Sequence, residues 1–101
     1  MIARTWRGWA AVATADDYQR HYETAVAEHL RQVPGFQGAR LLRRQEGGEV
    51  EFTSIAFFTD LAAVRGFAGD DYEIAVLEDE ARRALSRWDE RVSHAEVAVV
   101  L

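Results

Sequence analysis

The spacing of hydrophobic and polar positions predicts an opening strand followed by a long amphipathic helix. Residues 1–9 alternate with a period of two, and each face of that strand carries a tryptophan. Residues 15–32 instead repeat apolar side chains at helical spacing, after Thr14 and Asp17 in a capping-box arrangement. The stripe of this helix consists of Tyr18, Tyr22, Ala25, Val26, His29, Leu30 and Val33.

The segment Pro34-Gly35-Phe36-Gln37-Gly38-Ala39 marks the turn from this helix into extended chain. Proline cannot continue the helix, and the glycines allow a sharp change of backbone direction. A second strand is predicted over residues 38–45 and a third over 50–58, joined by a hairpin turn at Gly47-Gly48. In the third strand Phe52 and Phe58 share one face, and Ile55 and Phe57 share the other.

The second half of the chain predicts a further helix, more helical pattern and a valine-rich final strand. Thr59 or Asp60 caps the helix, which buries Leu61, Val64 and Phe67 and ends at Gly69. Residues 70–73 offer another capping box, with helical spacing continuing through residue 85. Residues 92–101 form the last strand.

The predicted order, β-α-β-β-α-β with extra helix before the last strand, is the ferredoxin-like α+β pattern. It places residues 1–101 in one domain, with an antiparallel sheet and the helices on one face. Aromatic side chains on both strand faces indicate that the helix-free face is also covered. We expect a homodimer that packs two such sheets into a dimeric α/β barrel.

The composition of the chain argues against several classes of function. Twelve basic against seventeen acidic residues give a net charge of −5, which disfavours a nucleic-acid partner. The absence of cysteine excludes disulfides, thiolate nucleophiles and cysteine metal sites. No apolar run reaches membrane-spanning length and no leader pattern opens the chain, so no membrane partner and a cytoplasmic location are expected.

The three histidines are candidates for proton transfer. His29 lies in the apolar stripe of the first helix, where it is either a core residue or a pocket residue, whereas His21 at the stripe's edge is expected to be solvated. His94 shares a strand face with Glu96, so it is either a general base or a strand-edge or interface residue. The spacing of the histidines fits no metal site.

Arg4 shares a strand face with Trp6 beneath the predicted helix layer. A guanidinium in that place requires an anion, because an unpaired buried charge is costly. Glu51, Glu96 or the oxyanion of a ligand are the candidate partners. A structural ion pair and a ligand-binding role both remain open from the sequence.

The chain resembles the antibiotic biosynthesis monooxygenase superfamily of dimeric α+β barrels, particularly its small members without an assigned substrate. Residues 2–8, 34–44, 51–52, 67–71 and 92–97 carry the resemblance, with Pro34-Gly35-Phe36 its most specific part. The resemblance implies a cofactor-independent oxidation of a small phenol or hydroquinone. It implies His94 or His29 as base, Arg4 at the oxyanion, and walls that include Trp6, Tyr22, Phe67 and Tyr72.

Two alternatives accompany this hypothesis. A non-catalytic dimeric module that binds a ligand or supports other proteins is the first alternative, because the same fold also occurs in non-catalytic proteins. The haem-degrading branch of the superfamily would need an asparagine, a tryptophan and a histidine ligand where this chain has Trp6, Phe67, and Val76 or Leu77. Haem is therefore not expected, and neither a cofactor nor a metal is predicted.

Overall fold

The computed structural model describes residues 1–101 and contains one antiparallel sheet with helices packed on one of its faces. A π-helical turn, Tyr22–Val26, connects the first two helices. The strands are β1 Ile2–Ala11, β2 Phe36–Glu46, β3 Glu49–Phe58, β4 Arg87–Trp88 and β5 Ser93–Glu96. The helices are α1 Val12–His21, α2 Ala27–Arg31, α3 Leu61–Ala68 and α4 Asp79–Ala84.

The sheet runs in the order β2-β3-β1, and both β4 and β5 pair with the free edge of β1. The register places Arg4 opposite Ala56 on β3 and opposite His94 on β5. The strand predicted over residues 92–101 is observed only as β5, and β4 is a separate short strand that precedes it. Residues 97–101 form no strand, and the side chains of Val99, Val100 and Leu101 are exposed.

The start of the first helix differs from the prediction. α1 begins directly after β1, with Ala11 in the N-cap position and no side chain capping it. Thr14 lies inside the helix, where its hydroxyl donates to the carbonyl of Ala84 at 2.8 Å. The predicted capping box was therefore wrong, because the strand feeds into the helix without a loop and Thr14 instead ties α1 to the end of α4.

The π-helical turn explains which residues of the first helix are buried. The N–H of Ala27 donates to the carbonyl of Tyr22, five residues earlier in the chain, so this turn holds one residue more than an α-helical turn. The stripe on the sheet consequently advances in steps of four along Tyr18, Tyr22, Val26 and Leu30. His29 is displaced to the exposed side, although a regular helix would have kept it within the stripe.

The helix predicted after the third strand is α3, and both of its ends agree with the prediction. Asp60 caps α3 by accepting from the N–H of Ala63 at 2.8 Å, and Gly69 ends it at φ 83°. Val64 is fully buried, whereas Leu61 is exposed, so its predicted burial was wrong. The chain from residue 69 to 78 is irregular apart from a bridge between Ile74 and Arg91. The second capping box, at residues 70–73, was therefore wrong, and helix resumes only at Asp79.

The core lies between the sheet and the helices and forms two clusters. Phe52 and Phe58 are both fully buried on the helix-facing side of β3, as their alternation predicts, while Ile55 and Phe57 are partly exposed on the other side. Gly35 has φ +90°, and a Cβ there would lie 2.7 Å from the Cβ of Ala63. The glycine therefore permits the close approach of the helix-to-strand turn to α3.

Candidate functional site

A cavity of about 60 Å³ lies between the sheet, the first helix and the irregular segment that precedes α4. It is smaller than the few hundred Å³ typical of a ligand pocket, and holds space for a few water molecules. Most of its lining is apolar. The lining residues are Arg4, Trp6, Tyr18, His21, Tyr22, Val26, His29, Leu30, Ser54, Ala56, Phe67, Ala75, Val76, Leu77, Glu78, Ala81 and Val92.

Arg4 is the cation of this cavity, and its side chain rises from the middle of β1 with 6% of the residue exposed. Its Nη1 donates to the carbonyl of Tyr72 at 2.5 Å and lies 3.0 Å from Nε2 of His94. The Nη2 atom lies 3.5 Å from the carbonyl of Ile74. Neither Glu51 nor Glu96 pairs with Arg4, so the structural ion pair considered from the sequence was wrong.

Burial lowers the pKa of Arg4 to about 10, which leaves the guanidinium charged at neutral pH. All its protein partners are neutral acceptors. Because charge-assisted contacts are strongest to an anion, the site can hold an oxyanion against this guanidinium. The ring of Phe67 lies under the cation, with the Cζ of Arg4 5.6 Å from the ring centroid.

His94 and Tyr72 lie beside Arg4 but are not among the residues that line the cavity. Their rings meet edge to face at 5.2 Å between centroids. Burial, and secondly the charge of Arg4, lower the pKa of His94. Arg4 can only donate, so the Nε2 lone pair of His94 accepts from it and is not free to take a proton from a ligand.

His21 is a residue of the cavity that the sequence pattern did not indicate. It is 5% exposed, rather than solvated as expected, and it lines the cavity. Its Nδ1 lies 3.1 Å from Oε2 of Glu80 in α4, and its Nε2 is buried with no hydrogen-bond partner. Its spacing of three from buried Tyr18 was the available signal, but the pairing with Glu80, 59 positions away, was not visible in the sequence.

His29 also lines the cavity, from an exposed position in α2. Its ring packs against that of Phe67 with the centroids 4.7 Å apart. This histidine therefore lies at the solvent side of the site rather than in the core.

The aromatic walls come from the elements that the sequence predicted. Trp6 is held by a hydrogen bond from its Nε1 to the carbonyl of Asp89 at 2.6 Å. The hydroxyl of Tyr22 lies 2.7 Å from Oγ of Ser54, and burial raises the pKa of both Tyr22 and Tyr18. These phenols remain protonated at neutral pH, so they act as wall and hydrogen-bonding groups rather than as bases.

The site offers no group of three His, Asp or Glu side chains that could hold a metal ion. The positions compared with the haem-degrading branch do converge on the cavity, as Trp6, Phe67, Val76 and Leu77. Val76 and Leu77 provide no ligand atom for iron, so the residues at these positions do not fit a haem. None of the helices is both long and apolar enough to cross a membrane.

Comparison with solved structures identifies the fold. A variant of MhuD, a heme-degrader from Mycobacterium tuberculosis, superposes with a TM-score of 0.73 at 17% identity, covering 100% of this chain and 98% of that one. A variant of SnoaB, a cofactor-independent oxygenase from Streptomyces nogalater, gives 0.69 at 18%, with coverages of 99% and 95%. A structure described as an antibiotic biosynthesis monooxygenase gives 0.61 at 18%, with coverages of 98% and 100%.

These similarities confirm the predicted ferredoxin-like α+β fold, which is that of the antibiotic biosynthesis monooxygenase proteins. No family model matches the sequence. No curated protein matches it either.

Proposed function

We propose that the protein is a cofactor-independent monooxygenase that oxidises a small phenol or hydroquinone in the cavity beneath the first helix. The observation that carries the proposal is Arg4, a buried guanidinium that lines an apolar cavity and has no carboxylate partner. Such a charge is costly in the absence of an anion and favourable when an anion binds. The fold shared with a cofactor-independent oxygenase supports the same reaction class by analogy.

In this proposal Arg4 binds the oxygen of the ionised phenol, and the aromatic walls hold the ring. Trp6, Tyr22 and Phe67 supply flat apolar surface around the guanidinium. A cation fixed where negative charge resides on the substrate favours the phenolate over the neutral phenol. Exclusion of water by the apolar lining strengthens the attraction between the guanidinium and the phenolate.

The reaction needs only the substrate and dioxygen. The phenolate gives one electron to O₂, which produces a phenoxyl radical and superoxide, and the two radicals combine at a ring carbon to form a peroxide. The peroxide takes up a proton, its O–O bond breaks with loss of water, and the ring becomes a quinone. One O₂ thus supplies one oxygen atom to the product and one to water, with the phenol as the only reductant.

The volume of the cavity favours the second candidate function, a non-catalytic module. A space of about 60 Å³ cannot take an aromatic ring unless one wall moves. The proposed oxygenase places that movement in residues 75–77, which line the cavity and belong to neither a helix nor a strand. A module that does not bind phenols would keep this wall closed.

The test compares the parent protein with Arg4→Met in ligand binding and in oxygen uptake. Calorimetric titration with 1-naphthol and with the corresponding hydroquinone, 1,4-dihydroxynaphthalene, should show binding to the parent. An oxygen electrode should show that the parent consumes oxygen faster than the compounds oxidise spontaneously. Arg4→Met should lose both. Arg7→Met is the matched control, because Arg7 lies on the same strand, is half exposed and pairs with Asp89 at the surface.

Three results separate the candidates. Binding and oxygen uptake that both depend on Arg4 support the oxygenase. Binding without oxygen uptake by any phenol overturns the oxygenase and supports a ligand-binding module. Equal losses in Arg4→Met and Arg7→Met would mean that the cavity plays no part.

A further inference from the structure

We propose that His21 is the group that accepts the proton of the phenolic ligand, and that Glu80 is its positioning residue. The ligand class in this inference rests on the proposed function above. The inference concerns His21 and Glu80, which lie on the opposite side of the cavity from Arg4. It can be tested without any oxidation.

The arrangement of His21 fixes which of its ring nitrogens is free. The carboxylate of Glu80 only accepts hydrogen bonds, so the Nδ1 atom 3.1 Å away carries the proton in the neutral ring. The Nε2 atom then presents a lone pair, and it is the buried side-chain atom without a partner. A buried acceptor without a donor is unfavourable, and the hydroxyl of a ligand in the cavity would supply that donor.

The other titratable groups of the cavity are less suited to this role. Arg4 is a cation, and burial raises the pKa of Tyr18 and Tyr22, so that neither phenol ionises near neutral pH. Glu78 and His29 line the cavity from exposed positions. His21 is thus the buried imidazole of the cavity, and imidazole is the side chain that most readily gains a proton near neutral pH.

The transfer leaves both product charges paired. The O–H bond of the phenol breaks, its proton binds Nε2 of His21, and the electron pair stays on the phenolate oxygen beside Arg4. The imidazolium that forms faces the carboxylate of Glu80. Arg4 and the phenolate make a second ion pair, so no charge remains without a counter-charge and no further reactant is needed.

The test uses para-nitrophenol, whose ionised form is yellow, at a pH below its own pKa in water. Bound to the parent protein, the probe should become yellow, because its proton moves to His21. His21→Gln should bind the pre-ionised probe at higher pH within about threefold of the parent, but should lose the colour at the lower pH. Turnover of an oxidisable phenol should fall by about 10²-fold or more, as expected for loss of a positioned base.

Glu80→Gln provides a second variant at an exposed side chain, and Asp79→Asn is its neighbour-matched control. Glu80→Gln should lower the yellow fraction without weakening binding of the pre-ionised probe, because it removes the counter-charge of the imidazolium. Asp79→Asn should leave both unchanged. Titration calorimetry in buffers of different ionisation enthalpy should show no proton release by the parent, since the proton remains on His21.

The outcomes distinguish this inference from the proposed function. Yellow bound probe in His21→Gln, proton release to the buffer by the parent, or loss of colour in His29→Gln alone would overturn the role of His21. Colour that depends on His21 without oxygen uptake by any phenol would support the inference and overturn the oxygenase. Absence of any binding by the parent would overturn both.

Discussion

Arg4→Met tests whether the buried guanidinium is kept for a ligand or for stability. Methionine retains an unbranched side chain of similar length and removes the charge. Burial holds the pKa of Arg4 near 10 instead of 12.5, which corresponds to a cost of roughly 3 kcal/mol for keeping the side chain charged in the folded protein. The cost applies in full below about pH 10, because a lowered pKa penalises the charged form.

The hydrogen bonds of Arg4 offset this cost. Nη1 donates to the carbonyl of Tyr72 at 2.5 Å and to Nε2 of His94 at 3.0 Å, and a bond to a charged donor contributes about 1.5 kcal/mol or more. Two such bonds nearly balance the charge penalty. We therefore expect the free energy of unfolding of ligand-free Arg4→Met to lie within about 2 kcal/mol of the parent.

Urea unfolding followed by circular dichroism measures this difference, with Arg7→Met as the surface control and unchanged m-values as evidence of an unchanged fold. The difference should be constant between about pH 7 and pH 9, where Arg4 stays charged. A bound phenolate should stabilise the parent and not the variant, by about 2.7 kcal/mol at a hundred times its Kd. A loss above about 3 kcal/mol without ligand would instead identify Arg4 as a structural residue and refute the reasoning.

Four further predictions concern the scaffold of the site. The pKa of His94 is lowered from 6.5, so its contribution to stability is present above that pH and is lost below it; His94→Leu should show a shallower fall in unfolding free energy on acidification. Asp60→Ala should cost about 1 kcal/mol through the lost cap of α3, measured by urea unfolding against Asp60→Asn, which keeps an acceptor. Gly35→Ala should lower the melting temperature more than Gly47→Ala, since both strain a positive φ but only the former meets neighbouring side chains at 2.6–2.7 Å; equal losses would contradict this. Light scattering should give the mass of a homodimer, because the helix-free face exposes Leu42 and part of Ile55 and Phe57; a monomer at micromolar concentration would exclude it.

The parts of the fold that depend on local signals were predictable from the sequence. Strand alternation identified the buried face of β3, and Asp60 and Gly69 marked the ends of α3 correctly. The start of α1 was not predictable in this way. Its first turn follows β1 directly, and the shorter hydrogen bond of the Thr14 hydroxyl goes to the carbonyl of Ala84 in α4.

The candidate site was predictable in its walls but not in its polar partners. Arg4 and Trp6 share a strand face by simple alternation, and the structure places both at the cavity. Two of the three partners of Arg4 are main-chain carbonyls of an irregular segment, and such contacts leave no residue pattern, whereas the third is the side chain of His94 on β5. The pairing of His21 with Glu80 depends on packing between α1 and α4, which a periodicity within one helix does not report.

Because of the π-helical turn Tyr22–Val26, the geometry of the site depends on the number of residues in the first helical segment as well as on their identity. Deleting one residue there would restore a regular α-helix and rotate one side of the turn by about 100° relative to the other. If α1 keeps its contacts, α2 would have to turn, and His29 would leave its place beside Phe67. If α2 keeps its contacts, α1 would turn and separate His21 from Glu80. His21 and His29 both line the cavity, so a single-residue deletion would displace one of its two imidazoles whichever helix keeps its contacts, without altering the sheet.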